Sequence, residues 1–444
     1  MTMQTTIYAL SSAPGRAGVA VIRVSGSQAR EVLRLLAGGV PTPRLASLRT
    51  LVHPVSRAAL DRALIVWFPA PASFTGEDVA ELHVHGGRAV IWAVLTAIGT
   101  VPGTRPAAAG EFARRAFENG KLDLTAVEGL ADLIDAETEA QRLQALHQSD
   151  GALARLYERW RMVIIRALAE FEADLDFSDE AEVADFKDRE AYARMVELEA
   201  EIRAHLDDRH RGEILRDGLR VAIAGPVNAG KSSLLNALAR RDAAIVSDTP
   251  GTTRDVVEVR LDLGGYPVIV SDTAGVRETE EAVEAEGVRR AIQRAADAHI
   301  VIWLLDAAQA HPASPPMELA REKTIIVVNK SELLSSPDEY GADADLFISV
   351  HTQAGLDDLV ATLGAEVAAR LAEGESVPLT RERHRHELEA AAHALRTFLD
   401  GPTDQVELRC EDLRSAADCL GRLTGQIDVE EILDHVFAQF CIGK

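Results

Sequence analysis

The sequence predicts a multidomain chain: an N-terminal α+β domain, then a helical domain interrupted by an α/β domain whose sheet is mostly parallel. Three observations carry this reading. The 444 residues suffice for about three domains of ordinary size. The middle of the chain holds near-continuous apolar runs separated by helical stretches, as parallel strands buried on both faces do. Helical composition flanks that middle on both sides, which is the pattern of an insertion.

Over residues 1–120, β-rich runs at Val19–Val24, Leu64–Phe68 and Val79–His85 alternate with Pro/Gly turns and helical segments. From 121 to 217, Ala, Leu, Glu and Arg dominate and prolines vanish, so a helical stretch is expected there. Asp217-Gly218 breaks it. Between 218 and 373, strands are expected at Arg220–Ala224, Pro267–Ser271, Ile300–Leu305, Thr324–Val328 and Leu346–Ser349. Helical composition returns over 374–444, and the chain closes on Phe440-Cys-Ile-Gly-Lys444.

Charge narrows the function. Lys+Arg number 47 against 70 Asp+Glu, a formal net charge of −23. Such a surface repels phosphate backbones at long range, which excludes a general nucleic-acid coat protein. RNA would have to meet a local basic patch; Arg381-Glu-Arg-His-Arg385 is one such run, although half-exposed helix charges are its simpler explanation. Cys410, Cys419 and Cys441 form no CxxC pair, as expected of a protein from the reducing cytoplasm. No secretory signal pattern is evident, and no apolar run approaches the ~20 residues of a membrane-spanning helix. A cytoplasmic protein with no membrane span is expected.

The chemistry starts at Gly225-Pro-Val-Asn-Ala-Gly-Lys-Ser232, a GxxxxGK[ST] loop between an expected strand and an expected helix. Glycines let backbone N–H groups wrap phosphates, and the helix N-terminus adds a positive dipole end. Lys231 is placed to reach the β- and γ-phosphates and Ser232 to hold Mg²⁺. The loop Thr249-Pro-Gly-Thr-Thr-Arg-Asp255 offers Thr253 as the hydroxyl that completes the magnesium shell. Asp272-Thr-Ala-Gly275 ends a strand, with a carboxylate beside the metal and a glycine N–H for the γ-phosphate. Asn329-Lys-Ser-Glu332 and Ser349 each follow or end a further strand. These stations, in this order, resemble the guanine-nucleotide domain of translation-factor-like GTPases, which implies a Ras-like P-loop G domain binding GTP.

One station departs from that pattern. The base-reading motif is normally Asn-Lys-x-Asp; here Glu332 adds a methylene, so a bidentate contact to guanine needs a shift of backbone or rotamer. A preference for GTP over ATP is expected. The position that often holds a water-orienting glutamine is Val276, which has no polar group. The acidic loop 278–286 offers several carboxylates, and spacing does not choose among them. Arg254, Arg277 and a monovalent cation held by Asn228 are the options for neutralising transition-state charge.

The ends make the whole chain recognisable. Ala13-Pro-Gly-Arg-Ala-Gly18, Ser73-Phe-Thr-Gly-Glu-Asp78 with His83-Val-His-Gly-Gly87, the run Gly110–Leu124 and the terminal Phe440–Lys444 motif stand around the inserted domain. Together they closely resemble the MnmE (TrmE) family of bacterial tRNA modification GTPases, over essentially the full length. The resemblance implies a homodimer built through N-terminal domains that bind a tetrahydrofolate derivative (5-formyl- or methylene-tetrahydrofolate). It implies an FAD/NADH-dependent partner, MnmG, and tRNA as the object of modification. The added group would be of the aminomethyl type, at the wobble uridine.

By the same resemblance, K⁺ is held by Asn228, Ser247, Thr249 and Thr252, and Mg²⁺ by Ser232 and Thr253. Glu284 positions the attacking water. Potassium would supply the charge that an arginine finger supplies elsewhere. The GTP contacts implied are Gly225, Asn228, Ala229, Gly230, Lys231, Ser232 and Ser233, then Ser247, Asp248, Thr249, Pro250, Gly251, Thr252 and Thr253. Asp272, Thr273, Ala274, Gly275, Asn329, Lys330, Glu332, Ser349 and Val350 complete the set. Folate falls to Arg23, Glu81, Lys121 and Lys444, a carboxylate for paired pterin N–H donors and cations for the glutamate tail. Cys441, beside that terminus, is a candidate for the modification step. Strand alternation puts Glu81, His83 and His85 on one face, where a structural role outweighs an E-x-H-x-H metal site. Two other functions compete: a regulatory switch GTPase, such as a ribosome-assembly factor, and a self-assembling membrane GTPase, disfavoured by the lack of an apolar anchor.

Overall fold

The computed structural model describes residues 5–176, 190–241, 243–245, 258–272, 295–309, 314–317, 319–336, 340, 344–371, 378–402, 405–427, 433, 436–438, 440 and 442–443. The chain divides into two compact units, one of Met1–Ala131, Gln148–Met195 and Ala394–Lys444, the other of Asp132–His147 and Val196–His393.

In the first unit, strands β1 (Thr6–Leu10), β2 (Ala17–Ser25), β3 (Ser47–Val52), β4 (Ala59–Phe68), β5 (Val79–Gly86) and β6 (Thr104–Pro106) form one sheet in the order β3-β4-β5-β2-β1-β6. All its pairings are antiparallel except β1 with β6. Alternation sorts the faces. Ile22, Val24, Ala80, Leu82, Val84, Ile65 and Trp67 point into a core with helices α1 (Ala29–Ala37) and α2 (Arg88–Gly99). The odd-numbered polar residues of β5 are left on the opposite face. The sequence reading missed β1, β3 and β6, which are short or carry charge.

The helical part of this unit comprises α3 (Glu111–Glu118), α4 (Leu124–Asp135), α5 (Glu139–Ser149), α6 (Ala152–Asp176), α7 (Glu190–Leu206), α11 (Glu382–Asp400) and α12 (Val406–Thr424), with α4, α5, α7 and α11 running on into the second unit. Helices α6 and α12 pack side by side, tied by Arg414–Glu172 and by Gln426 Nε2 donating to Glu158 at 2.9 Å. The C-terminal tail returns to the N-terminal domain. Phe437 and Phe440 pack with Ala113 and Val127, and Ile442 bridges to Ala109.

In the second unit, β7 (Leu219–Ala224), β8 (Glu258–Leu263), β9 (Tyr266–Asp272), β10 (Ile300–Asp306), β11 (Thr324–Asn329) and β12 (Leu346–Phe347) form a sheet ordered β12-β11-β10-β7-β9-β8. Only β8 runs antiparallel, so the sheet is mostly parallel as expected. Both faces are buried. Leu219, Val221, Ile223, Ile302 and Leu304 pack under α9 (Lys231–Ala239) and α10 (Leu356–Leu371), while Ala222, Ala224, Val301, Trp303 and Leu305 form the other core. The short helix α8 (Arg211–Asp217) leads into β7.

Candidate functional site

The phosphate loop spans 225–230, between the end of β7 and the first residue of α9. Its backbone admits few residue types. Gly225 has φ +142°, and a Cβ there would lie 2.2 Å from the Leu304 carbonyl oxygen, so a side chain is excluded. Asn228 stands in the left-handed region at φ 66°, which asparagine tolerates better than most residues, and Gly230 follows at φ 97°. Lys231 Nζ donates to the carbonyls of Gly225 and Pro226 at 3.0 and 2.8 Å, across the mouth of the loop. Burial pushes its pKa below the ordinary lysine value, while the Asp272 charge pulls the other way.

Ser232 Oγ donates to Asp272 Oδ2 at 2.6 Å. The parallel register Ile223↔Asp272 carries that carboxylate, 3 % exposed, to the first turn of α9. A hydroxyl and a carboxylate so close offer the hard oxygens that Mg²⁺ takes, and the loop N–H groups offer what phosphates take. Ser233, in the same turn, is exposed.

The base station is stapled to the phosphate loop. Asn329, 3 % exposed at the end of β11, donates Nδ2 to the Ala229 carbonyl at 2.9 Å and accepts from Val350 N–H at 3.1 Å. Lys330 turns at φ 64° and its Nζ meets Asp306 Oδ2 at 2.6 Å. The Ser349 hydroxyl hydrogen-bonds the Glu332 carboxylate and, with the Glu332 backbone N–H, holds its pKa below the usual carboxylate range. Ser349 Oγ also accepts from Thr352 N–H at 3.0 Å. Asn329, Lys330, Glu332, Ser349 and Val350 are thus one constellation. Strand β12 stops at Phe347, two residues short of the expected end, because Ser349 is held in a turn by Ala354. Asp306 was missed by sequence reasoning; its signal is an acidic residue closing a strand in register with Asn329.

In the N-terminal domain, the register Arg23↔Glu81 places the two folate candidates directly opposite each other. Arg23 donates Nε and Nη2 to one Glu81 oxygen at 3.1 and 3.0 Å, leaving the other oxygen 3.5 Å from His83 Nε2. The Arg23 guanidinium lies 5.2 Å from the Phe74 ring centre and 5.7 Å from that of Phe112. Lys121 borders the same loop as Phe74, its Cε 3.2 Å from where a Gly76 Cβ would stand. The tail arrives nearby: Ser11 Oγ donates to the Gly443 carbonyl at 2.8 Å, one residue from Leu10, which pairs with Ile22. Glu81, His83 and His85 do share a face, but His85 Nδ1 is taken by Asp61 at 2.7 Å. Among the described residues no group of three or more His, Cys, Asp or Glu side chains forms a metal cluster.

Ser247, Asp248, Thr249, Pro250, Gly251, Thr252, Thr253, Thr273, Ala274, Gly275, Glu284, Cys441 and Lys444 lie outside the described residues. Cys410 and Cys419 are buried, at 1 % and 3 % exposure, as packing residues are. The charges of the basic run 381–385 are taken up by partners within the fold. Arg381 meets Asp132 at 2.8 Å, Arg385 meets Asp208 at 2.6 Å and Glu213 at 3.3 Å, and His384 is fully buried. This is an internal ion-pair cluster instead of a free surface for phosphates.

Comparison with known proteins gives the family. Residues 124–441 match the family model of the MnmE helical domain, and residues 6–121 that of the GTP-binding protein TrmE N-terminus. The chain is 55 % identical over 448 residues to a tRNA modification GTPase MnmE from Parvibaculum lavamentivorans, covering 99 % of this chain and 100 % of that one. It is 47 % identical to the mitochondrial 5-taurinomethyluridine-[tRNA] synthase subunit GTPB3 of Danio rerio, covering 99 % of this chain and 93 % of the relative. Among solved structures, the G domain of the T. maritima FeoB iron transporter aligns over 35 % of this chain and 99 % of its own, at 24 % identity and TM-score 0.23.

Proposed function

The chain belongs to the MnmE family of tRNA modification GTPases, and we propose from that premise that it is a potassium-activated GTPase directing folate-dependent modification of wobble uridine. Acting with the FAD/NADH-dependent partner MnmG, it would serve addition of a carboxymethylaminomethyl-type group at carbon 5 of uridine in certain tRNAs. The observation that carries this reading is the seating of the tail. Ser11 holds Gly443 beside the strand pair that presents Arg23 and Glu81, in a chain that also owns a complete phosphate loop. Relatives named for tRNA modification and for 5-taurinomethyluridine synthesis support the tRNA half.

The residues divide the labour as follows. Loop N–H groups and Lys231 bind the phosphates, and Ser232 with Thr253 would hold Mg²⁺. Asn228, Ser247, Thr249 and Thr252 would hold K⁺, which would supply positive charge where the transition state develops negative charge. Glu284 orients water. Arg23, Glu81, Lys121 and Lys444 take the folate, with Cys441 placed for the modification step. G domains (218–373) of a homodimer meet during hydrolysis, and the change is passed to the folate domain (1–120) and the helical domain (121–217 with 374–444). A cytoplasmic location completes the reading.

The test is deletion of the gene followed by mass spectrometry of bulk tRNA nucleosides. Loss of the 5-substituted wobble uridine is expected; unchanged nucleosides would overturn the reading. In vitro, hydrolysis should be faster in potassium than in sodium, and a formyl-tetrahydrofolate should bind with dependence on the last two residues.

A further inference from the structure

Strands β8 and β9 form a hairpin whose two-residue tip, Gly264-Gly265, has φ +65° and +91°, as a primed turn requires. The hairpin joins both nucleotide-sensing loops: β8 begins just after residues 247–253, and β9 ends on Asp272. Its tip is held. The Gly265 carbonyl accepts from Ala140 N–H at 3.0 Å, one of the orphan donors at the start of α5. Arg260, on β8, meets Glu137 at 3.0 Å.

The same helical segment, 132–147, grips the chain entering β7. Asp132 accepts from Arg216 at 2.9 Å, Gln141 Nε2 donates to the Arg216 carbonyl at 2.9 Å, and Gln144 Nε2 donates to the Gly212 carbonyl at 3.1 Å. Gln141 also ties itself down, its Oε1 accepting from the Glu137 and Thr138 N–H groups at 3.1 Å. One segment thus holds the far ends of β7 and β9, the two strands whose near ends carry the phosphate loop and Asp272.

We propose that segment 132–147 is a positioning element for GTP hydrolysis, setting the place of β9 against β7 and thereby of Asp272 against Ser232. The proposal rests on the nucleotide chemistry assigned above. Glu137, Ala140 and Asp132 touch neither nucleotide nor metal; they act through the hairpin and through α8. A helical movement that pulls Glu137 and Ala140 off the tip would loosen the magnesium pair, and nucleotide-driven movement of the hairpin would push on the helices by the same contacts.

The test uses the full chain with Glu137→Lys, Arg260→Glu and the charge-swapped double variant. Each single variant puts like charges together at the hairpin. Each should lower kcat for GTP by roughly fivefold and raise the Mg²⁺ concentration for half-maximal activity by a similar factor. The double variant should restore both to within about twofold. Amide hydrogen exchange over residues 258–272, measured without nucleotide, should quicken in the single variants and recover in the double. That readout is independent of GTP chemistry, so an inactive wild type would sink the functional reading while leaving the positioning contact open to decision. Unchanged exchange and kcat in the single variants, or losses that the swap does not rescue, would overturn the proposal.

Discussion

Replacing Asn329 with alanine isolates the staple between the base station and the phosphate loop. The side chain is 3 % exposed and makes two hydrogen bonds, to the Ala229 carbonyl and from Val350 N–H. Truncation leaves both backbone groups without that partner in a place where the phosphate loop lies against β11. A made hydrogen bond contributes about 1 kcal/mol and a stranded buried group costs about 1–3 kcal/mol, so about 2 kcal/mol is the conservative sum. Spent on loosening the loop that binds phosphates, this weakens nucleotide binding roughly thirtyfold. The loss should be equal for guanosine and inosine diphosphates, because the staple acts on the phosphate loop. Fluorescent-nucleotide titration measures it. An affinity within twofold of wild type, or a loss confined to guanosine nucleotides, would refute the reasoning.

Three further outcomes are expected. Gly443→Ala should cost at least tenfold in formyl-tetrahydrofolate affinity by calorimetry: φ is +103° and the new Cβ would stand 2.0 Å from the Leu10 carbonyl oxygen, lifting the tail from its seat. His205, held near pKa 4 mainly by burial, is neutral in the fold but charges in the unfolded chain below about 6.5, so stability is full above that pH and falls towards pH 4. The loss is roughly 3 kcal/mol, visible as a falling Tm between pH 6.5 and 4 that His205→Leu should flatten. Glu332→Ala should reduce the preference for GTP over ATP by at least about tenfold in competition binding, and Ser349→Ala, which frees the Glu332 carboxylate, by a smaller factor.

The phosphate chemistry was legible because it is local. A strand, a GxxxxGK[ST] loop and a helix are contiguous, and Gly225 and Gly230 are glycine for reasons that the backbone states: a 2.2 Å approach and a φ of 97°. The pairing of Arg23 with Glu81 was half legible. Alternation gave the face of Glu81, but only the register of β2 on β5 could bring the arginine opposite. Strand β8 was missed although Gly264-Gly265 announces a hairpin, because its charged residues Glu258, Arg260 and Asp262 hide the apolar alternation of Val259, Leu261 and Leu263. Long-range ion pairs were not legible at all. Nothing in Arg381-Glu-Arg-His-Arg385 says that Asp132 and Asp208, far away in sequence, stand against it.

That last point bears on how an acidic chain meets tRNA. An arginine free in solvent gains affinity for a phosphate backbone by releasing its condensed counterions. Arg381 and Arg385 are 15 % and 11 % exposed and already face carboxylates, so a phosphate must first displace Asp132 or Asp208. Breaking a buried pair costs about 3–5 kcal/mol, more than one phosphate contact returns. The most concentrated basic run in the chain therefore contributes packing between helices instead of nucleic-acid affinity. With a net charge of −23 over the whole chain, the function proposed above predicts that the tRNA backbone is held mainly by the partner protein. On that proposal, what this chain would bring to the complex is the folate face and a GTP-driven movement.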